Sequence, residues 1–138
     1  LNTFYHRWEN EALVVDLWFS MQAACPLPET LEQVKKLMFH PAFTLSNPNR
    51  LRSLIGVFAG QNNVNFHSID GSGYEFLANQ IIEVDAINPQ IAARILGPLT
   101  RWGNYDTKRQ DLMKAQLGRI LDTENLSNNV FEIASKSL

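Results

Sequence analysis

Four polar or small residues in the second half of the chain, Gln90, Arg94, Gly97 and Arg101, recur at intervals of about one helical turn. On a helix, the spacing i, i+4, i+7 and i+11 places them along one strip. An arginine in such a strip can hold a carboxylate through two parallel hydrogen bonds, and a glutamine in the first turn lies beside free backbone N–H groups. The strip therefore suits the polar end of a peptide, but the spacing alone favours an ordinary solvent-facing surface.

An Asn-Pro pair at 88–89 predicts where the helix that carries this strip begins. The Asn88 side chain can cap the helix, and Pro89 suits the first helical position because the N–H that it lacks has no helical partner there. The opposite face of this helix is apolar and is predicted to be buried: Ile91, Ile95, Leu99 and Trp102.

The same Asn-Pro signal occurs 41 residues earlier, at Asn47 and Pro48. Gly60 suits a left-handed stop at the end of the helix that this signal begins. The predicted buried face of that helix is Leu51, Leu54, Ile55 and Phe58. A helix start that repeats after about 40 residues is typical of stacked helix pairs. The chain is therefore predicted to be part of an α-helical solenoid.

All other periodic segments also follow the helical repeat, and none alternates as a strand does. The predicted inward stripes are Leu13, Leu17, Trp18, Met21 and Ala24; Leu31, Val34 and Met38; Tyr74, Leu77, Ile81 and Val84; Met113, Leu117, Ile120 and Leu121; and Phe131, Ala134 and Leu138. Asn10, Asp106 and Ser127 are predicted N-caps. We expect an all-α fold, an α-α superhelix of the HEAT or armadillo type, with about eight antiparallel helices in a single domain over 1–138.

The composition excludes several classes of function. A net charge of −2 gives no electrostatic reason to expect a nucleic acid or an anionic membrane as partner. No apolar run approaches the roughly 20 residues that span a bilayer. The single cysteine, Cys25, cannot form an internal disulfide and fits a reducing compartment.

The sequence also lacks the motifs that would catalyse a reaction. There is no His-Glu-x-x-His pair and no Gly-x-Ser-x-Gly elbow, and His6, His40 and His67 are too scattered to indicate a metal site. The Asp-Gly-Ser-Gly run at 70–73 lacks the lysine and the preceding strand of a phosphate loop, so it is predicted to be a turn into a helix. We predict no catalytic residue and no metal ligand within this sequence.

The beginning of the sequence carries no initiator methionine and is apolar at once, with a helical stripe of Leu1, Phe4, Tyr5 and Trp8. A natural N-terminus is usually polar and frayed. We therefore expect a piece of a longer helical chain, with an exposed apolar patch at this stripe and a tendency of the isolated piece to self-associate.

Long runs of the chain resemble the C-terminal end of the bacterial aminopeptidase N (alanyl aminopeptidase) family. These runs are WENEALVVDLWF, SNPNRLRSLIGVFAG, FHSIDGSGYEFL, NPQIAARILGPLTRW, YDTKRQDLMKAQL and ENLSNNVFEIASKSL. The family consists of monomeric cytoplasmic zinc exopeptidases that remove N-terminal residues from peptides. The resemblance implies that this chain is the distal part of the last domain, a helical superhelix that caps the catalytic domain of the same chain.

The resemblance also implies which residues bind and which do not. The zinc-binding His-Glu-x-x-His…Glu motif of the family lies upstream, so Zn²⁺ is expected outside this sequence. Gln90 and Arg94 match the family's Asn-Pro-Gln-x-x-x-Arg helix, which faces the internal cavity near the substrate. Arg52 matches an arginine of the Asn-Arg-x-Arg-Ser run that borders the same cavity. With the resemblance, contact with short peptides is favoured over a solvent-facing strip.

One alternative from another class remains open at this stage. A free-standing helical-repeat scaffold would bind a partner protein along its concave face and would need no catalytic domain. The two hypotheses differ in what precedes Leu1, because only the aminopeptidase requires an upstream His-Glu-x-x-His.

Overall fold

The computed structural model describes residues 12–138. The expected apolar patch and the predicted Asn10 cap therefore lie outside the described residues. Internal contacts divide the chain into two compact units, Leu1–Asn65 and Phe66–Leu138. The described residues form helices and turns without a β-strand, so the prediction of an all-α fold is confirmed. Within 12–138, none of the helices combines the length and the apolar character needed to span a bilayer.

The first unit is built on three helical stretches. In chain order its elements are α1 (Ala12–Ala24), α2 (Thr30–Leu37), α3 (Pro48–Leu51), a π-helical segment (Arg52–Gly56) and α4 (Val57–Gln61), followed by the short α5 (Asn63–Phe66). The helix α3, the π-helical segment and α4 follow one another without a gap and form one helix over 48–61. Asn47 Oδ1 accepts the backbone N–H groups of Asn49 and Arg50 at 3.1 and 3.3 Å, as the cap prediction requires. The predicted face of Leu51, Leu54, Ile55 and Phe58 is fully buried.

The face that α1 buries differs from the prediction. Trp18 and Phe19 lie in the core, but Leu17 and Met21 are 55% and 51% exposed, and Ala24 is exposed as well. The buried positions are instead Val15, Phe19 and Ala23 together with Trp18. The sequence of α1 is apolar almost all round the helix, so periodicity alone could not choose the inward face.

Two polar side chains, Arg50 and Asn62, connect the helices of the first unit through hydrogen bonds. Arg50 donates from Nη1 to Asp16 Oδ1 at 2.8 Å and from Nε to the Ala42 carbonyl at 3.1 Å. Asn62 donates from Nδ2 to the carbonyls of Ala23 and Cys25 at 2.9 and 2.7 Å, which satisfies the C-terminal end of α1. The helix over 48–61 continues through Gly60 to Gln61, with Asn62 as its C-cap, so the predicted left-handed stop at Gly60 is wrong.

The second unit contains longer helices joined by tight turns. Its elements are α6 (Ser72–Asp85), α7 (Pro89–Ile95), α8 (Gly97–Thr100), a 3₁₀ turn (Trp102–Asn104), α9 (Thr107–Leu121) and α10 (Asn128–Ser137). Gly71 enters α6 with φ of 78°, which favours glycine, and Asp70 Oδ1 accepts the Ser72 N–H at 2.9 Å. A side chain at Gly73 would place its Cβ 2.3 Å from the Phe66 carbonyl oxygen, so only glycine fits there.

The last helix is held at both ends. At its beginning, Asp85 accepts the backbone N–H and the hydroxyl of Ser127, and Ser127 Oγ caps α10 by accepting the Val130 N–H. At its end, Trp102 Nε1 donates to the Ser137 carbonyl at 2.9 Å. Val130 and Ala134 form the buried face of α10. The predicted burial of Phe131 and Leu138 is wrong, because both are about half exposed (52% and 53%).

Candidate functional site

The predicted polar strip begins on α7, where the Asn-Pro signal acts as expected. Asn88 Oδ1 accepts the Ile91 N–H at 3.3 Å, and Pro89 occupies the first turn. Ile91 and Ile95 are buried on one face of the helix. Gln90 and Arg94 are exposed, one turn apart, on the other face. The structure therefore brings these two predicted site residues together on one surface.

The strip continues across a break in the helix. Pro98 has no N–H to donate to the Arg94 carbonyl, so α7 ends at Ile95 and α8 begins at Gly97. Leu96, between the two helices, keeps right-handed helical angles of φ −70° and ψ −22°. Arg101 comes directly after α8 and is exposed, and the helical spacing of i+7 from Arg94 predicts that it lies on the same side.

The arginines of the described residues fall into two groups. Four of them donate hydrogen bonds to acceptors within their own unit: Arg50, Arg52, Arg109 and Arg119. The side chains of Arg94 and Arg101 make no hydrogen bond or ion pair with any residue in 12–138. Both unengaged guanidinium groups therefore lie on the strip, where they can accept a ligand without giving up an internal contact.

The surface between these two arginines is open. A Cβ atom added at Gly97 would meet no atom within 4 Å. The nearby Thr100 hydroxyl donates to the Gly97 carbonyl at 2.7 Å. A ligand lying along the strip would therefore pass over Gly97 without meeting a side chain at that position.

Arg52, the third predicted site residue, belongs to the first unit. It opens the π-helical segment and is exposed. Its Nη2 donates to Asn49 Oδ1 at 2.7 Å, and its stem lies close to Gly56, whose Cβ would stand 3.7 Å from Arg52 Cβ. Sequence reasoning missed both the π-helical segment and Asn49. The position of Asn49, one turn before Arg52, was the available signal.

A partly buried polar cluster in the second unit was also missed. The His67 ring stacks on Tyr105 with centroids 4.3 Å apart, and its Nδ1 lies 2.7 Å from the Tyr74 hydroxyl. Arg109 Nε donates to the His67 carbonyl at 2.8 Å. Burial, with the neighbouring Arg109 charge, lowers the pKa of His67, and burial raises the pKa of Tyr74 to about 12. The neutral forms are thereby favoured, which suits a structural cluster.

Comparison with known proteins identifies the domain. Residues 1–138 match the family model described as Domain of unknown function (DUF3458_C) ARM repeats. The chain belongs to this family. The prediction of a HEAT- or armadillo-like helical repeat is thereby confirmed.

Several relatives of this ARM-repeat domain carry the name Aminopeptidase N. The chain is 50% identical to the protein of Caulobacter vibrioides and 46% identical to that of Haemophilus influenzae, over 138 residues in both, and 47% identical to that of Escherichia coli over 132 residues. These matches cover 96–100% of this chain but only 15–16% of the relatives. The predicted resemblance to the aminopeptidase N family is confirmed.

A solved structure is similar in fold as well. The crystal structure of Legionella pneumophila aminopeptidase A in complex with aspartic acid matches with a TM-score of 0.94 and 40% identity. The match covers 99% of this chain and 16% of that one. The ARM-repeat domain therefore spans about one sixth of the length of the proteins that it matches.

Metal-binding side chains do not converge in the part of the domain that the structure describes. No three His, Cys, Asp or Glu side chains in 12–138 are placed to hold a metal ion together. The strip carries guanidinium groups and the amide of Gln90. These groups can bind and orient an anion, but they do not transfer a proton.

Proposed function

We propose that this ARM-repeat domain is the distal part of the C-terminal helical domain of a cytoplasmic, monomeric aminopeptidase of the N type. The support is the identity of 46–50% to three proteins named Aminopeptidase N along nearly the whole chain. The reaction of such an enzyme removes the N-terminal residue of a short peptide. The single cysteine agrees with a protein of a reducing compartment.

In this proposal, the domain walls the chamber that holds the peptide and limits access to it. The observation that carries the proposal is the state of the arginines: Arg94 is exposed and unengaged on a helix whose other face is packed. A guanidinium group that has no internal acceptor is available for a substrate. Gln90, one turn earlier, adds an amide donor on the same surface.

The substrate group that fits is the C-terminal carboxylate of a short peptide. Arg94 binds it through two N–H groups, and such a charge-assisted contact contributes about 1.5–3 kcal/mol. Arg52, in the first unit, is a separate proposed peptide contact: it has given one N–H to Asn49 and keeps others, since a guanidinium group has five. Gln90 and Arg94 hold the far end of the peptide, and none of the three is a catalytic residue.

The Zn²⁺ ion of the proposed enzyme is held outside this domain. The described residues offer no convergent ligand set, so they do not fit the ion. When bound to the catalytic domain, Zn²⁺ polarises the scissile carbonyl or activates water. We expect the 138-residue chain alone to be inactive towards aminoacyl anilides and to retain no stoichiometric zinc.

The substitution Arg94→Ala in the full-length enzyme tests the proposal. We expect KM for di- and tripeptides to rise about ten-fold or more, because 1.4 kcal/mol corresponds to a factor of ten. Aminoacyl anilides have no carboxylate at that place, so their KM should change little. Lys108→Ala, which removes an exposed charge from α9, is the matched control. Equal effects of Arg94→Ala on both classes of substrate, or none on either, would refute the proposed role.

A further inference from the structure

We propose that Arg101 is a second carboxylate-binding residue, which serves peptides about three residues longer than those that Arg94 serves. This inference rests on the proposed function and extends it to the length of the substrate. The strip then has two anchoring points for the acidic end of a peptide, one on α7 and one just after α8.

The first support is the state of Arg101 itself. Like Arg94, it is exposed and has no acceptor among the described residues. Its neighbour in the chain is fixed: Trp102 donates from Nε1 to the Ser137 carbonyl at 2.9 Å, and Lys114 Nζ lies 4.5 Å from the centre of the Trp102 ring. The backbone of Arg101 is thereby held in place while its guanidinium group stays available.

The second support is the distance along the strip. Arg101 follows Arg94 by seven positions, and seven residues of helix advance about 10 Å. Three residues of an extended peptide cover about the same distance. The estimate assumes a helical rise across the break, in keeping with the helical angles of Leu96.

The third support is the open path between the two arginines. Gly97 lies midway and leaves free space where another residue would place its Cβ. Pro98 also removes the N–H that would have bonded the Arg94 carbonyl. An extended peptide whose carboxylate reaches Arg101 therefore crosses no side chain at Gly97.

A series of peptides of increasing length, assayed with the full-length enzyme, tests the inference. The substrates are di- to hexapeptides of alanine, each with a free C-terminal carboxylate or with a C-terminal amide. Arg101→Ala should raise KM about ten-fold for the free penta- and hexapeptides, a change of about 1.4 kcal/mol. The same variant should leave the dipeptide and all amides unchanged. Arg101→Lys keeps the charge and should restore part of the affinity, and Lys108→Ala is again the control.

The outcomes separate this inference from the proposed function. If Arg94→Ala impairs the short acids while Arg101→Ala is silent at every length, the inference is wrong and the proposed function stands. If Arg101→Ala weakens acids and amides equally, or shifts the melting temperature as well, the residue is structural and the inference is again wrong. If Arg94→Ala is silent at every length, both fail.

Discussion

The helix over 48–61 and the segment over 89–104 begin with the same two residues and then diverge. Asn47 and Asn88 both cap their helices through Oδ1, and a proline follows each. An offset of 41 residues superimposes the two sequences, and four buried positions then coincide: Leu51 with Ala92, Leu54 with Ile95, Ile55 with Leu96 and Phe58 with Leu99. The packed face of the repeat is therefore kept while its other residues vary.

One residue explains the difference in backbone. Val57 donates its N–H to the Arg52 carbonyl, five residues back, so the first helix passes through a π-helical segment without interruption. The matching residue in the second unit is Pro98, which has no N–H, and the second helix breaks there. A residue with an N–H at this position thus accompanies a continuous helix and proline a broken one, while the buried positions are kept.

The arginines of the two helices differ in whether their side chains have partners within the protein. Arg50 forms an ion pair with Asp16 and Arg52 is held by Asn49, whereas Ile91 takes the place of Arg50 in the second helix. The side chains of Arg94 and Arg101 have no acceptor among the residues that the structure describes. The first helix uses its arginines for internal contacts, and the second leaves its arginines available for a ligand.

Exchanging the residues at positions 57 and 98, valine and proline, should have the largest effect on stability. Val57→Pro removes the bond to the Arg52 carbonyl and introduces a clash, so we expect unfolding free energy to fall by about 3 kcal/mol or more. Pro98→Val adds one N–H but makes the unfolded chain more flexible, so the net change should stay within about 1 kcal/mol. Urea denaturation of each variant measures both. A severe loss from Pro98→Val would show that the break is required by the packing.

The two caps provide a smaller comparison. Asn47 accepts two backbone N–H groups and Asn88 accepts one. Asn47→Ala should therefore lower the unfolding free energy by about 1–2 kcal/mol, and Asn88→Ala by about 1 kcal/mol or less. Asp106→Ala, which removes a cap of the same type from α9, calibrates the series. A larger loss of unfolding free energy from Asn88→Ala than from Asn47→Ala would mean that the two hydrogen bonds of Asn47 stabilise its helix less than the one of Asn88 does.

Stability should depend on pH through the second unit. The pKa of His67 is lowered in the fold, so the unfolded chain, where histidine titrates near pH 6.5, binds the proton more readily. The stabilising contribution is complete above about pH 6.5 and is lost as pH falls through the lowered pKa. His67→Gln should flatten the decline between about pH 7 and pH 5 in urea denaturation. If the unfolding free energy of His67→Gln falls with pH as steeply as that of the unchanged protein, other groups cause the decline.

Much of the fold follows from local sequence. The caps at Asn47, Asn88, Asp106 and Ser127 and the stripe of α6 were predicted because a helix start and an apolar face depend on neighbours a turn or two away. The strip of Gln90 and Arg94 was predicted for the same reason. Its exposure was not determined by spacing, since that depends on what packs against α7.

Other features depend on distant contacts and left no local signal. The inward face of α1 is set by its neighbours, which include the helix over 48–61, and α1 is apolar in most directions. The His67 cluster joins residues 67, 74, 105 and 109, which only tertiary packing brings together. Whether an arginine is engaged also depends on its tertiary neighbours, which is why Arg94 and Arg50 look alike in the sequence.

The central claim is that the arginines of the broken helix contact substrate. A crystal structure of the full-length enzyme with a bound tripeptide tests it most directly. We expect a C-terminal carboxylate oxygen about 2.7–2.9 Å from the guanidinium nitrogens of Arg94, with the Gln90 amide beside it. A carboxylate held by other residues, with Arg94 in bulk solvent, would contradict this role of Arg94.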